Sequence, residues 1–252
     1  MSMDSFNSML LPAVVVLVMF GVRFMVFAGI GFMLTDPSRQ TSRGHSLVER
    51  PAQFQLAANV QRELWQSLRS LLIFAAIIAV IYQYKLLGSS QLYFGLDDYP
   101  RWWLVASVPA MMVLHDTLFY WYHRALHTRL LFKTVHGQHH DSVFPTAFAA
   151  YSFGTLEAIT EAALPIAILF IIPVHPLALI IYQSISTAFN VYVHCSKDFL
   201  PAAYTHHWFW RWWNTAWLHS RHHLHSNGNY SFYFTFWDRL MKTGPKMHNK
   251  EV

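Results

Sequence analysis

The chain has 252 residues, 54% of them apolar and only 12% charged, with a formal net charge of +5. Soluble domains carry about 25% charged residues, so this composition argues against an ordinary soluble domain and for a chain that lives in a bilayer. The single cysteine, Cys195, excludes an internal disulfide framework and fits a catalytic part in a reducing compartment.

Five stretches are apolar enough for membrane helices, which need roughly 20 residues each. Met9 to Leu34 is the first, interrupted only by Arg23. It is long for a signal peptide and has no basic residue ahead of it, so it is expected to remain uncleaved. Residues 52–69 follow, with apolar side chains near helical spacing and scattered charges, and predict an amphipathic helix lying along the interface. The second span runs from about Leu68 to Tyr84 and the third from Trp102 to Tyr122, the latter apolar until His115 and Asp116. The fourth and fifth, about Leu156–Ile172 and Leu177–Val193, are separated only by "PVHP", which predicts a tight helical hairpin. Residues 202–217 are dense in tryptophan and belong at the headgroup level, where aromatic belts sit.

The expected fold is therefore all-α, a multi-pass membrane bundle of about 4–5 embedded helices including a hairpin, with a histidine-rich cap. Residues 1–252 read as one membrane-embedded domain, capped by 123–155 and 194–252. With five spans, one side receives 15 of the 18 basic residues, leaving Lys85 and Arg101 opposite and Arg23 within the first span. By the positive-inside tendency that side is cytoplasmic. The basic excess is then topology plus attraction to anionic lipid, and nucleic acid is not an expected partner.

The 16 histidines are unevenly placed, and eight of them fall in three clusters. "HRALH" holds His123 and His127, "HGQHH" holds His136, His139 and His140, and "HSRHH" holds His219, His222 and His223. Residues three and four apart share a helix face, so each cluster can converge its imidazoles. At this histidine frequency chance supplies an HxxHH about 0.06 times in such a chain, and two are present. A transition metal follows, since imidazole suits Zn, Cu, Fe and Ni. Eight or more histidines exceed what one tetrahedral zinc can use, which favours two metals.

The hairpin returns all clusters to one membrane face. His194 ends the fifth span there, below a polar stripe of Gln183, Thr187 and Asn190. His194 is a candidate ligand, and Asn190 is a candidate to ligate, to hold a water or to make an interhelical hydrogen bond. Asp116 lies seven residues before His123 and roughly 10 Å deeper on the helix; the outer nitrogen of a ligand histidine is its expected partner. Glu157 invites the same reading ahead of Glu161. His115, His225 and Asp238 are further candidates for the metal or for support of its ligands. His45, His175 and His248 read as solvent or interface residues, and His206 and His207 as part of the tryptophan belt.

"HDTLFYWYHRALH", "HGQHH", "NVYVH" and "HSRHH" followed by "NYSFYFTFWDRL" resemble the fatty acid hydroxylase (sterol desaturase) superfamily, over about 108–243. "GTLE" at 154–157 resembles an element that usually carries Pro-Leu-Glu. The resemblance implies a non-haem di-iron centre that uses O2 to attack unactivated C–H bonds of lipids, with electrons from a separate electron-transfer protein. It implies His123, His127, His136, His139, His140, His194, His219, His222 and His223 as ligands and 108–243 as the catalytic region. Hydroxylation of a fatty acyl chain or sterol-like lipid is the expected reaction, with desaturation the alternative. Asp198 stands where some relatives have a further histidine, Ser231 where the family usually has glycine, and Lys242-Thr243 where it has Gly-Thr. Some relatives carry a fused cytochrome b5 domain, for which 252 residues are expected to leave no room. A metal transporter would place its ion site near the bilayer midplane, against the one-sided histidines here. A membrane protein organised by structural zinc is the other alternative.

Overall fold

The structure, a computed structural model, describes residues 3–35, 55–195, 198 and 207–244. Five long helices dominate: α1 (Met3–Thr35), α2 (Leu56–Gln83), α3 (Arg101–Leu126), α6 (Thr155–Ile171) and α7 (Pro176–Val193). Between α3 and α6 lie α4 (Arg129–Leu131), a π-turn (Phe132–His136), α5 (Gly137–His140) and a 3-10 turn (Ala147–Tyr151). After α7 come a 3-10 turn (Trp210–Trp212), α8 (Ala216–His225) and α9 (Phe236–Leu240). Among the described residues no strand forms beyond two isolated bridges. The protein is thus an all-helical bundle, as the hydropathy pattern predicts.

Among the described residues, four helices are long and apolar enough to cross a membrane: Pro12–Thr35, α2, α3 and α7. The hairpin partner of α7, α6, has 17 residues and carries Glu157 in its first turn. Exposed valines and methionines along α1, with Ile30 and Leu34, form a lipid-compatible surface. In lipid, apolar burial drives helix association weakly, and close packing and polar contacts carry it instead. Gly31 shows the first: a Cβ there would meet Val191 Cγ1 at 3.0 Å and Cys195 Sγ at 3.2 Å. Only a glycine lets α1 approach the end of α7 so closely.

Residues 56–69 correct the expectation of a separate interfacial helix. They are the first turns of α2, continuous with the span. Asn59, Glu63, Ser67 and Ser70 form a buried polar stripe on it. A helix lying flat and a helix rising out of the bilayer share the same 3.6-residue period, so sequence periodicity does not separate them.

The hairpin is closed at 172–175, where His175 caps α7. Its Nδ1 accepts from Leu177 N–H at 3.1 Å and its Nε2 pairs with the Phe94 carbonyl at 3.1 Å. His175 is buried, which corrects its expected solvent role. The cue was Pro176, a residue that favours the first position of a helix. Trp103 Nε1 donates to Pro173 O at 3.0 Å, and Leu92 and Val174 form a bridge, so this end of the bundle is pinned.

At the other end the last turns of α1, α3 and α7 meet the first turns of α2 and α6 under the cap. One apolar core joins Met111 and Met112 of α3, Ile168 and Leu169 of α6, Ala178 and Tyr182 of α7, and Phe232 and Tyr233 of the cap. A second joins Phe24 and Ala28 of α1, Leu71 of α2, Ala147, Ala150 and Val191. The aromatic belt expected at 202–217 lies partly outside the described residues. Within them, Trp208, Phe209, Trp210 and Trp212 are exposed. His207 Nδ1 accepts from Phe209 N–H. His45, His206 and His248 lie outside the described residues.

Candidate metal centre

The structure brings together all nine histidines grouped by spacing and by resemblance, and divides them in two. His123, His127, His136, His140 and His222 form one group; His139, His194, His219 and His223 form the other. Within each group one ring nitrogen per residue lies within 4.8 Å of all the others. Eight of the nine are buried and His127 is half-buried.

Local helix geometry explains the division. His123 is on the last turn of α3 and His127 caps it, four residues on. The π-turn ends on His136, and α5 then carries His139 and His140. Adjacent helical residues point about 100° apart, so His139 and His140 face different groups. His222 and His223 on α8 are split in the same way. Thr215 caps α8 by accepting from Leu218 N–H, and the left-handed Ser226 (φ 54°) ends it.

The outer ring nitrogens fix the tautomers. Nδ1 of His123 pairs with Tyr230 O at 2.9 Å, that of His127 with Ser226 O at 2.9 Å, and that of His222 with Gly228 O at 2.7 Å. Nδ1 of His194 pairs with Asn190 O at 2.7 Å and that of His139 with Ser152 O at 3.3 Å. A carbonyl only accepts, so each Nδ1 carries the proton and each Nε2 presents a bare lone pair. His136 Nδ1 meets Glu157 Oε1 at 2.6 Å, the carboxylate–imidazole arrangement common behind metal ligands.

These bare nitrogens face one another. His123 and His127 Nε2 are 3.3 Å apart, and His139 and His194 Nε2 are 3.4 Å apart, with no proton to share between them. His222 Nε2 is buried without a hydrogen-bond partner. Converging lone pairs repel unless a cation sits among them. The other Nε2 separations, His123–His136, His136–His140 and His219–His223 at 3.1 Å and His194–His219 at 3.0 Å, complete the pattern. Two imidazoles on one metal at about 2.1 Å each would have nitrogens about 3.0–3.4 Å apart. The donor set therefore fits transition-metal binding in both groups.

Burial keeps the imidazoles neutral, as ligands must be. It lowers His127 and His194 to about 4 and His139 to about 3. Burial, then neighbouring imidazoles, also pushes His140, His219 and His223 below the ordinary histidine value. Aromatic rings wall the groups: Phe119 lies 5.0 Å from His123, Phe132 5.2 Å from His127 and His140, Tyr230 5.0 Å from His127, and Phe153 5.3 Å from His139.

The remaining candidates separate. Glu157 contacts His136 directly. Asn190 donates its Nδ2 to Ala150 O at 2.6 Å, while its backbone carbonyl orients His194. Asp116 is a correction: its partner is no histidine. Its Oδ1 accepts from the backbone N–H groups of Phe232, Tyr233 and Phe234 at 3.1, 2.6 and 3.1 Å. His115 stands apart from both groups, its Nδ1 3.1 Å from the Tyr233 hydroxyl. His225 is exposed and in neither group. Asp238 anchors the cap, accepting from Tyr230 N–H, Ser231 N–H and the Thr243 hydroxyl. Sequence reasoning missed Ser152, Ser226, Gly228 and Tyr230, whose backbone carbonyls orient the clustered imidazoles; a backbone acceptor leaves no trace in residue type.

Four long apolar helices with nine histidines gathered under one end define a multi-pass membrane protein with a candidate two-metal centre. The chain belongs to the fatty acid hydroxylase family, whose profile matches residues 108–243. It is similar to lathosterol oxidase of Rattus norvegicus, 32% identical over 199 residues, covering 78% of this chain and 64% of that one. It is 30% identical to lathosterol oxidase of Homo sapiens over 202 residues, again 78% and 64%. A Delta(7)-sterol 5(6)-desaturase of Leptosphaeria maculans is 30% identical over 155 residues, 61% of this chain and 41% of the relative. The chain thus spans less than two thirds of these relatives' length. No solved structure matches significantly.

Proposed function

We propose that the protein is a membrane-bound, O2-dependent oxidoreductase acting on a lipid, with its nine clustered histidines holding two iron ions. The observation that carries this is the pair of converging lone-pair clusters in a chain of this family. The group of five imidazoles exceeds the four ligands of a tetrahedral zinc, and iron, which imidazole also suits, is what the family resemblance implies for both groups. Bound iron would supply the O2 activation and C–H cleavage that side chains cannot perform.

The chain's own residues do the rest. The nine Nε2 lone pairs bind, and the carbonyls of Tyr230, Ser226, Gly228, Asn190 and Ser152 fix each ring's orientation. Glu157 holds the proton at His136 Nδ1. The aromatic wall excludes water from the reacting carbon. A lipid tail enters from the bilayer between the long helices. In hydroxylation one oxygen atom enters the lipid and the other leaves as water, which consumes two electrons and two protons. Those electrons come from a separate donor protein at the cytoplasmic face, where the positive-inside tendency places the cap. Desaturation consumes the same electrons and protons but releases both oxygen atoms as water. The names of the relatives, an oxidase and desaturases of sterols, favour this second outcome and a sterol-like substrate.

Metal analysis of protein purified without added metal, followed by O2 consumption with a reductant and lipid mass spectrometry, tests the reading. Two irons per chain and a lipid that gains one oxygen atom indicate hydroxylation; loss of two hydrogens indicates desaturation. His139→Ala should lose metal and abolish lipid oxidation. Full activity in that variant would sink the ligand assignment.

A further inference from the structure

The buried polar stripe of α2 lies outside both histidine groups, yet one group hangs from it. We propose that Glu63 is a positioning residue for the four-histidine group, acting through the 142–153 segment and not through the metal ligands themselves. The proposal rests on reading the nine histidines as a two-metal centre.

Glu63 is fully buried at 0% exposure, on the first turns of α2. Its Oε2 accepts from the Thr146 hydroxyl at 2.5 Å and from Thr146 N–H at 3.3 Å, and its Oε1 accepts from Asn59 Nδ2 at 2.8 Å. Further contacts tie the same helix to the same segment: Asn59 Nδ2 donates to Phe144 O at 3.3 Å and Arg62 Nη2 to the Ser142 hydroxyl at 3.2 Å. Ser67 donates to Phe148 O at 2.7 Å, the Ser152 hydroxyl donates to Gln66 Oε1, and Arg69 Nη2 donates to Phe153 O at 2.6 Å. The segment is irregular, with only one 3-10 turn of its own, so α2 supplies most of what fixes its path. Asn59 and Arg62 hold the segment's first residues, and Glu63 is the side chain that holds Thr146, from which the 3-10 turn follows.

Two metal-centre contacts leave from that segment. Ser152 O orients His139, and Ala150 O holds the side chain of Asn190, whose backbone carbonyl orients His194. His139 and His194 are half of the four-histidine group. The five-histidine group is oriented from elsewhere: His123, His127 and His222 by carbonyls of 226–230, His140 by the Ser226 hydroxyl, and His136 by Glu157. Loosening the α2 contacts therefore loosens one metal position and spares the other.

The test is metal stoichiometry and Mössbauer spectroscopy on purified full-length protein reconstituted with iron. Glu63→Ala is expected to hold about half the wild-type iron and to lose one of two iron signals. Glu63→Gln keeps an acceptor oxygen toward Thr146 and should restore the second iron at least in part. Glu157→Gln should perturb the other signal. Should Glu63→Ala not be recovered folded, Thr146→Val removes the same hydroxyl contact from the segment side and must show the same one-sided loss. Two unchanged signals in the alanine or valine variant, or equal loss of both with the fold intact, overturn the proposal. Wild-type protein that binds no iron overturns the two-metal reading itself, a result the variants do not produce.

Discussion

Single residues decide whether the cap is a metal centre or a repulsive cluster. In the folded protein burial holds His127 and His194 at about 4 and His139 at about 3, against 6.5 for the free side chain. Between those values the unfolded chain binds more protons than the folded one, so stability falls as the pH drops below 6.5. Metal-free protein should unfold at a lower temperature at pH 5 than at pH 7; an equal or higher value at pH 5 contradicts the buried, neutral assignment. Asp116 carries a different burden. Its oxygen satisfies three backbone N–H groups of the 232–234 loop, two of them in buried residues. Asp116→Ala should cost at least about 3 kcal/mol, since each stranded donor costs about 1–3, and calorimetry in detergent would measure it. Eight of the histidines are legible in the sequence because helical spacing groups them, and His194 because it ends the polar stripe of the fifth span. The role of Asp116 is not, because its partners lie 116–118 residues away and a depth argument along one helix does not say which loop crosses it.

At the scale of elements, hydropathy marks α3, α6, α7 and the hairpin turn to within a few residues, whereas α1 and α2 begin at Met3 and Leu56, well ahead of the apolar stretches that start at Met9 and Leu68. The cap elements are a different matter. Residues 129–140 form a short helix, a π-turn and another short helix, and the π-turn ends on His136, the first histidine of its box. No periodicity in five residues predicts such an insertion. The polar face of α2 was visible but misassigned to the interface, because its partners at 146–153 lie more than 80 residues on. Close packing of α1 on α7 depends on Gly31, and Gly31→Val should cost about 1–3 kcal/mol, the usual range for overpacking. Unchanged resistance to denaturant would show that α1 can back away from Val191 and Cys195.

For the whole molecule, the unequal distribution of basic residues predicts how it sits in a membrane. A tag on the C-terminus should be reached by protease only after cells are opened; digestion in intact cells would place the cap outside and reverse the proposed supply of electrons. The pinned end, with Trp103 bound to Pro173 and Leu92 bridged to Val174, holds α3, α6 and α7 together opposite the cap.

The splitting of neighbouring histidines has a consequence for how such a chain tolerates change. His139 and His140 serve different groups, as do His222 and His223. Inserting or deleting one residue inside either box would rotate every following side chain by about 100° and send each imidazole into its neighbour's place or out of the centre. Point substitutions at the two intervening positions of each box, Gly137 and Gln138 or Ser220 and Arg221, leave that phase intact. The boxes can therefore drift in letters but not in length, and a single-codon deletion scan should find them the least forgiving stretches of the cap.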